Sequence, residues 1–119
     1  MSHTLRTGNL WANALPPPEG ERFDTLLAHG ALVVERIVSS SRIASAPYVQ
    51  TQDEWVVLLQ GQAVLDVAGQ SVALAAGDHL FLPAHTPHTV LSVSEGALWL
   101  AVHLHPGGAP PASASSTSL

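Results

Sequence analysis

A chain of 119 residues with 46% hydrophobic content fits a single domain and can bury a core of its own. Its formal net charge is −5, with four arginines and no lysine, so it lacks the basic face that phosphate binding requires; neither nucleic acid nor an anionic membrane surface is an expected partner. There is no cysteine, which removes disulfides, thiolate metal sites and cysteine nucleophiles and leaves only nitrogen and oxygen as donors for a metal. Apolar runs such as "ALVV" and "WVVLL" fall far short of a bilayer span, and no charged segment followed by a secretory-length apolar stretch opens the chain, so a cytoplasmic setting is expected.

In chain order, residues 1–9 are polar and read as a flexible tail. Three prolines at 16–18 forbid regular structure, and Phe23, Leu26 and Leu27 then make either one short helix or a strand entry, ended by Gly30. From Ala31 the apolar residues come in short β-branched and aromatic runs punctuated by Gly, Pro, Ser and Asp, the rhythm of an all-β sandwich or barrel. Strands are predicted at about 31–38, 42–50, 54–60, 62–67, 70–75, 79–82, 87–93 and 96–103. "AGQ" at 68–70 reads as a hairpin turn with Gly69 at positive φ, and "EGA" at 95–97 should turn the last pair of strands in the same way. The Pro/Gly/Ala/Ser stretch at 106–119 reads as a second flexible tail, leaving 10–105 as the barrel.

Alternation along a strand sends even and odd positions to opposite faces. Tyr48, Gln50, Gln52 and Glu54 share one parity, which continues into Val56 and Leu58, while Trp55, Val57 and Leu59 share the other. His88, Val90 and Ser92 form a similar set after Pro87, polar at the entrance and apolar further in. Two such strands describe a barrel whose mouth holds a small ligand or ion.

The spacing of these residues resembles the cupin superfamily, all-β barrels of the jelly-roll or double-stranded β-helix type. Its first motif, G-x5-H-x-H-x3,4-E-x6-G, is matched in its latter half by Glu54 and Gly61; its second, G-x5-P-x-G-x2-H-x3-N, by Gly77, Pro83 and His88. "YVQTQDEWVVLLQG", "PAHTPHTV" and "LWLAVHL" also look like a small single-domain bacterial cupin subgroup. The resemblance implies one divalent ion (iron, manganese, zinc, nickel or copper) held by two early histidines, the glutamate and the late histidine. Here Tyr48 and Gln50 replace both early histidines, His85 stands at a glycine position and Ser92 at the asparagine. An amide oxygen or a phenol is a poorer donor than imidazole, so weakened metal affinity is expected.

The expected ligands are therefore Gln50, Glu54 and His88, with Glu54, His88 and Tyr48 as the acid/base groups and Tyr48, Gln52 and His85 lining the pocket mouth. A metal-dependent enzyme acting on a small polar metabolite, a metal-free ligand-binding module, a metal-free acid/base enzyme and a purely structural Glu–His pair all stay open. His79 reads as structural, and the His103–His105 pair as residues at the exit to the tail. Trp55, Val57 and Leu59 leave an apolar outer face to be covered by the 10–27 segment or by a second subunit, and a homodimer is expected.

Overall fold

The computed structural model describes residues 5–108; the outermost parts of both expected tails, 1–4 and 109–119, lie outside the described residues. Eight strands follow one another: β1 (Glu21–His29), β2 (Leu32–Ser39), β3 (Asp53–Gln60), β4 (Gln62–Val67), β5 (Gln70–Ala75), β6 (His79–Leu82), β7 (His88–Val93) and β8 (Ala97–Leu104). They form two antiparallel sheets, a large one of order β1-β2-β8-β3-β6 and a small one of order β5-β4-β7. Among the described residues no helix is long and apolar enough to cross a membrane.

The inner faces of the two sheets enclose a core of Ile37, Val56, Leu58, Leu65, Leu74, Val90, Trp99 and Ala101. Each comes from the parity that alternation assigns to the inside, so the core follows directly from the period of two. Turn chemistry fixes the register. Ala68 and Gly69 form a two-residue loop with both φ positive (49° and 86°) between Val67 and Gln70, and Asp66 Oδ1 accepts the Gly69 N–H at 2.9 Å. Gly77, of the second motif, adopts φ 94° and donates its N–H to the Leu58 carbonyl, while the adjacent Asp78 Oδ2 accepts from Ala75 N.

Three expectations need correction. Residues 42–50 do not form a strand; only an isolated bridge joins Tyr48 to His88. Ser40, Ser41, Ser45 and Pro47 offer the backbone side-chain partners or deny it a donor: Arg42 N bonds Ser40 Oγ and Ser45 Oγ bonds the Val90 carbonyl. Residues 21–29 form a full strand, because Glu21 to His29 find antiparallel partners along β2. Finally, the turn at 95–97 does not close a hairpin: β7 pairs with β4 and β8 with β2 and β3, so the chain changes sheets there.

The N-terminal segment covers only part of the outer face of the large sheet. Arg36, buried in β2, donates to the carbonyls of Leu10 and Ala12 and pairs with Asp24 at 2.7 Å; Arg22 reaches the carbonyls of Leu15 and Asn13. Trp55 and Phe81 stay exposed.

Candidate functional site

Four ionisable side chains are buried at one end of the barrel: Glu35 from β2, Glu54 from β3, His103 from β8 and His88 from β7. Glu54 lies directly opposite His103 in the β3–β8 register, and Glu35 sits on the same inward parity as Val33 and Ile37. Gln50 and Gln52, on the stretch leading into β3, complete the set.

Hydrogen bonds divide it into two linked units. Gln50 Nε2 donates to Glu54 Oε1 at 3.0 Å. His103 Nε2 lies 2.9 Å from Glu35 Oε1, and Gln52 Nε2 lies 3.3 Å from His103 Nδ1. A carboxylate accepts and an amide NH2 donates, so the neutral His103 ring carries its proton on Nε2 and accepts at Nδ1. Charging that ring requires Gln52 to turn its amide and present oxygen instead. His88 Nδ1 lies 3.2 Å from the Thr86 carbonyl, an acceptor only, so the neutral His88 ring has the opposite tautomer, with its lone pair on Nε2.

The electrostatics are those of acids held out of water. Burial raises the Glu54 pKa, although His103, the Gln50 hydrogen bond and His88 pull it down and Glu35 pushes it further up. For His103, burial alone would lower the pKa, but the Glu35 hydrogen bond and the charges of Glu54 and Glu35 outweigh it and the net direction is up. His105, whose ring stacks 6.2 Å from that of His103, is lowered by burial and by His103. Three oxygens in this interior, Glu35 Oε2, Gln50 Oε1 and Glu54 Oε2, are buried without a hydrogen-bond partner among the described residues.

Sequence reasoning located Glu54, Gln50 and His88 in the interior, and all three are buried. Gln52 and Tyr48 are half-buried, with the Tyr48 ring 6.4 Å from that of His88. His85 is exposed at the rim with φ 66°, the left-handed conformation that explains why the motif has glycine there; its N–H donates to the Gln50 carbonyl and anchors that residue. His79 is exposed against Trp55. His103 is misplaced by the sequence reading: β8 runs on to Leu104, so its inward parity carries Trp99, Ala101 and then His103 into the barrel rather than to a tail. Glu35 was missed, because the β2 run is apolar on both parities and does not say whether Glu35 or Arg36 faces inward.

A second polar string lies nearby. Trp99 Nε1 donates to Ser39 Oγ at 3.0 Å and Ser39 Oγ donates to Glu21 Oε2 at 2.8 Å. Burial raises the Glu21 pKa, the Ser39 hydrogen bond lowers it and the charge of Glu54 raises it again. Glu21 lines a cavity of about 250 Å³ with Phe23, Ile43, Ala46, Tyr48 and Val90.

Two comparisons with known proteins agree on the class. A family model described as a cupin domain matches residues 40–104, and the chain belongs to the cupin family. A Ralstonia eutropha protein provisionally named a mannose-6-phosphate isomerase is 33% identical, with 85% of this chain and 99% of that one covered at a TM-score of 0.77. A Thermus thermophilus protein is 23% identical (85% and 98% covered, TM-score 0.74), and an RmlC-like cupin from Shewanella frigidimarina is 17% identical (78% and 83%, TM-score 0.67); these two share the fold. None of the curated proteins matches.

The residues present offer a divalent ion fewer strong donors than this family leads one to expect. Among the described residues no group of three or more His, Cys, Asp or Glu side chains is arranged to hold a metal. Where an imidazole would offer a lone pair, Gln50 aims an N–H donor at the Glu54 carboxyl, compensating that oxygen with a proton donor rather than sharing it with a cation.

Proposed function

We propose that this cupin binds a small polar metabolite at the polar end of its barrel, in the cytoplasm, and acts on it by proton transfer between carboxyl and imidazole groups. The observation that carries this reading is the set of unpartnered buried oxygens, Glu35 Oε2, Gln50 Oε1 and Glu54 Oε2. A buried acceptor without a donor is costly, typically by about 1–3 kcal/mol, and a ligand bearing hydroxyl or amine donors removes that cost. Glu54, whose pKa burial raises, holds a proton more tightly than an ordinary carboxyl and is suited to pass it to a bound ligand. His103 is held by Glu35 on one nitrogen and Gln52 on the other, so a proton arriving on it is registered by rotation of the Gln52 amide. Tyr48 and His85 stand at the entrance.

The test is ligand-observed NMR against a panel of polyols, amines and hydroxy acids, repeated with Glu54→Gln. Binding that is lost or weakened in the variant supports the reading; a panel without a ligand, or binding indifferent to the substitution, contradicts it.

A divalent-metal-dependent enzyme is the second reading, favoured by the unpartnered Glu54 Oε2 and Gln50 Oε1. Gln50, Glu54 and His88 would be the ligands, after rotation of the Gln50 amide, and the ion would supply Lewis acidity. Incubation with iron, manganese, zinc, nickel or copper followed by dialysis distinguishes the two: retention of a full equivalent, lost in His88→Ala, favours this second reading over the first.

A further inference from the structure

The cavity lined by Glu21 differs in kind from the polar end. Its walls are mostly apolar, from Phe23, Ile43, Ala44, Ala46 and Val90, with Glu21 and Tyr48 as the residues carrying polar side chains. A volume of about 250 Å³ holds about eight water-sized atoms, at roughly 30 Å³ each. Tyr48 connects it to the interior, since the same residue bridges to His88 through its backbone and its ring lies beside the imidazole. Ser39 already serves one Glu21 oxygen, Oε2, and Glu54 is close enough for its charge to act on Glu21.

Among the described residues no cationic side chain lines the cavity beside Glu21, whereas the interior Glu54 already has His103 and His88 acting on it. Of the four arginines, Arg22 and Arg36 are committed to Asp24 and to backbone carbonyls on the outer side of the large sheet, and Arg6 and Arg42 are exposed. Arg42 does not line the cavity but borders, with Glu19, an adjoining surface groove that shares Gly20, Ile43 and Ala44 with it. An anion entering this cavity would meet the Glu21 carboxyl with no cationic side chain in the lining to compensate it, whereas a cation would be paired there.

We infer that this cavity is the entrance for a small amine with a compact apolar body, which sets its nitrogen against Glu21 and its body against Phe23, Ile43 and Val90, and that phosphorylated and carboxylate compounds are rejected. The inference names the substrate class of the proposed interior site and so rests on that reading. It also separates this chain from the sugar phosphate in the name of its Ralstonia relative.

The experiment is protein-observed NMR of the full chain with three probes of one shape and different charge, benzylamine, benzyl alcohol and benzoate, and with mannose 6-phosphate. Benzylamine is expected to shift the amide signals of residues 20–23 and 43–48, to bind at least tenfold more tightly than benzoate, and to lose about that factor in Glu21→Gln, which keeps the Ser39 hydrogen bond. Ala46→Leu, which fills the cavity from a loop, should abolish the shifts and serves if Glu21→Gln fails to fold. Benzoate or mannose 6-phosphate binding as tightly as benzylamine would overturn the inference, as would benzylamine binding untouched by both variants. Amine shifts confined to the cavity, with none at His88 and His103, would support the cavity assignment while removing the interior reading. Polyol shifts at His88 and His103 with no amine effect anywhere would do the reverse.

Discussion

At the scale of single residues, the Glu35–His103 pair is where burial and charge meet most closely. Both side chains are almost fully buried, and removing one member of such a pair leaves the other without compensation. His103→Leu is expected to cost about 3–5 kcal/mol in chemical denaturation, and the double change Glu35→Leu/His103→Leu to recover most of it; a double variant as unstable as the single one would assign the pair a stabilising role of its own. The protonation equilibria have a definite sign. Glu54 and His103 both bind a proton more tightly in the folded chain than in the unfolded one, so each contributes a stability that falls as pH rises. For Glu54 the contribution is whole below the ordinary value of 4.5 and is lost as pH passes its raised value; for His103 it is whole below 6.5 and lost above that. The denaturation midpoint should therefore drop as pH rises above 4.5 and further above 6.5, and Glu54→Gln should remove its share of the slope. A midpoint that rises over this window would contradict the assigned directions.

At the scale of elements, the turns carry the specificity of the fold. Gly61 joins β3 to β4 at φ 99°, and a Cβ there would meet Ser94 Oγ at 2.5 Å and Ala97 Cβ at 3.1 Å. Gly61→Ala thus combines a strained backbone with a collision at the residues leading into β8, and a loss of about 2 kcal/mol or more is expected in thermal or chemical unfolding; a change within about 0.5 kcal/mol would show that the turn can relax. This glycine was legible as a motif position, and so were the hairpin at Ala68–Gly69 and the strands β3 to β7, because short apolar runs with period two and glycine turns are local properties. What was not legible depended on partners distant in sequence. Residues 42–50 alternate like a strand yet find only the Tyr48–His88 bridge, whereas 21–29, with a weaker pattern, become a strand because β2 offers them its edge. In β2 both parities are apolar around Glu35 and Arg36, so the sequence did not say which charge pointed inward. The structure sends Glu35 into the barrel and Arg36 to Asp24 on the other side.

At the scale of the whole molecule, one row of residues on the outer face of the large sheet is apolar from edge to edge, beside the charged Arg22, Asp24 and Arg36. The registers align Phe81, Trp55, Val102, Val34 and Leu27 in one row across all five strands, and Phe81 and Trp55 remain exposed at 54% and 39%. A homodimer through this face is the expected solution state. Sedimentation at micromolar concentration should give a dimer that Phe81→Asp converts to a monomer; a wild-type monomer throughout would leave the face with another role. The barrel, its family and half of its polar end could be read from motif spacing and parity, while Glu35, His103 and Glu21 emerged only from the packing of β1, β2 and β8. The claim on which the rest depends is that carboxyl and imidazole groups share one water-poor interior, and ring-nitrogen NMR of His88 and His103 through a pH titration tests it most directly. The structure predicts Nδ1–H for neutral His88 and Nε2–H for neutral His103, with His103 titrating above 6.5. Two rings of mixed tautomer, both exchanging freely with solvent and with His103 titrating at the ordinary value, would contradict it.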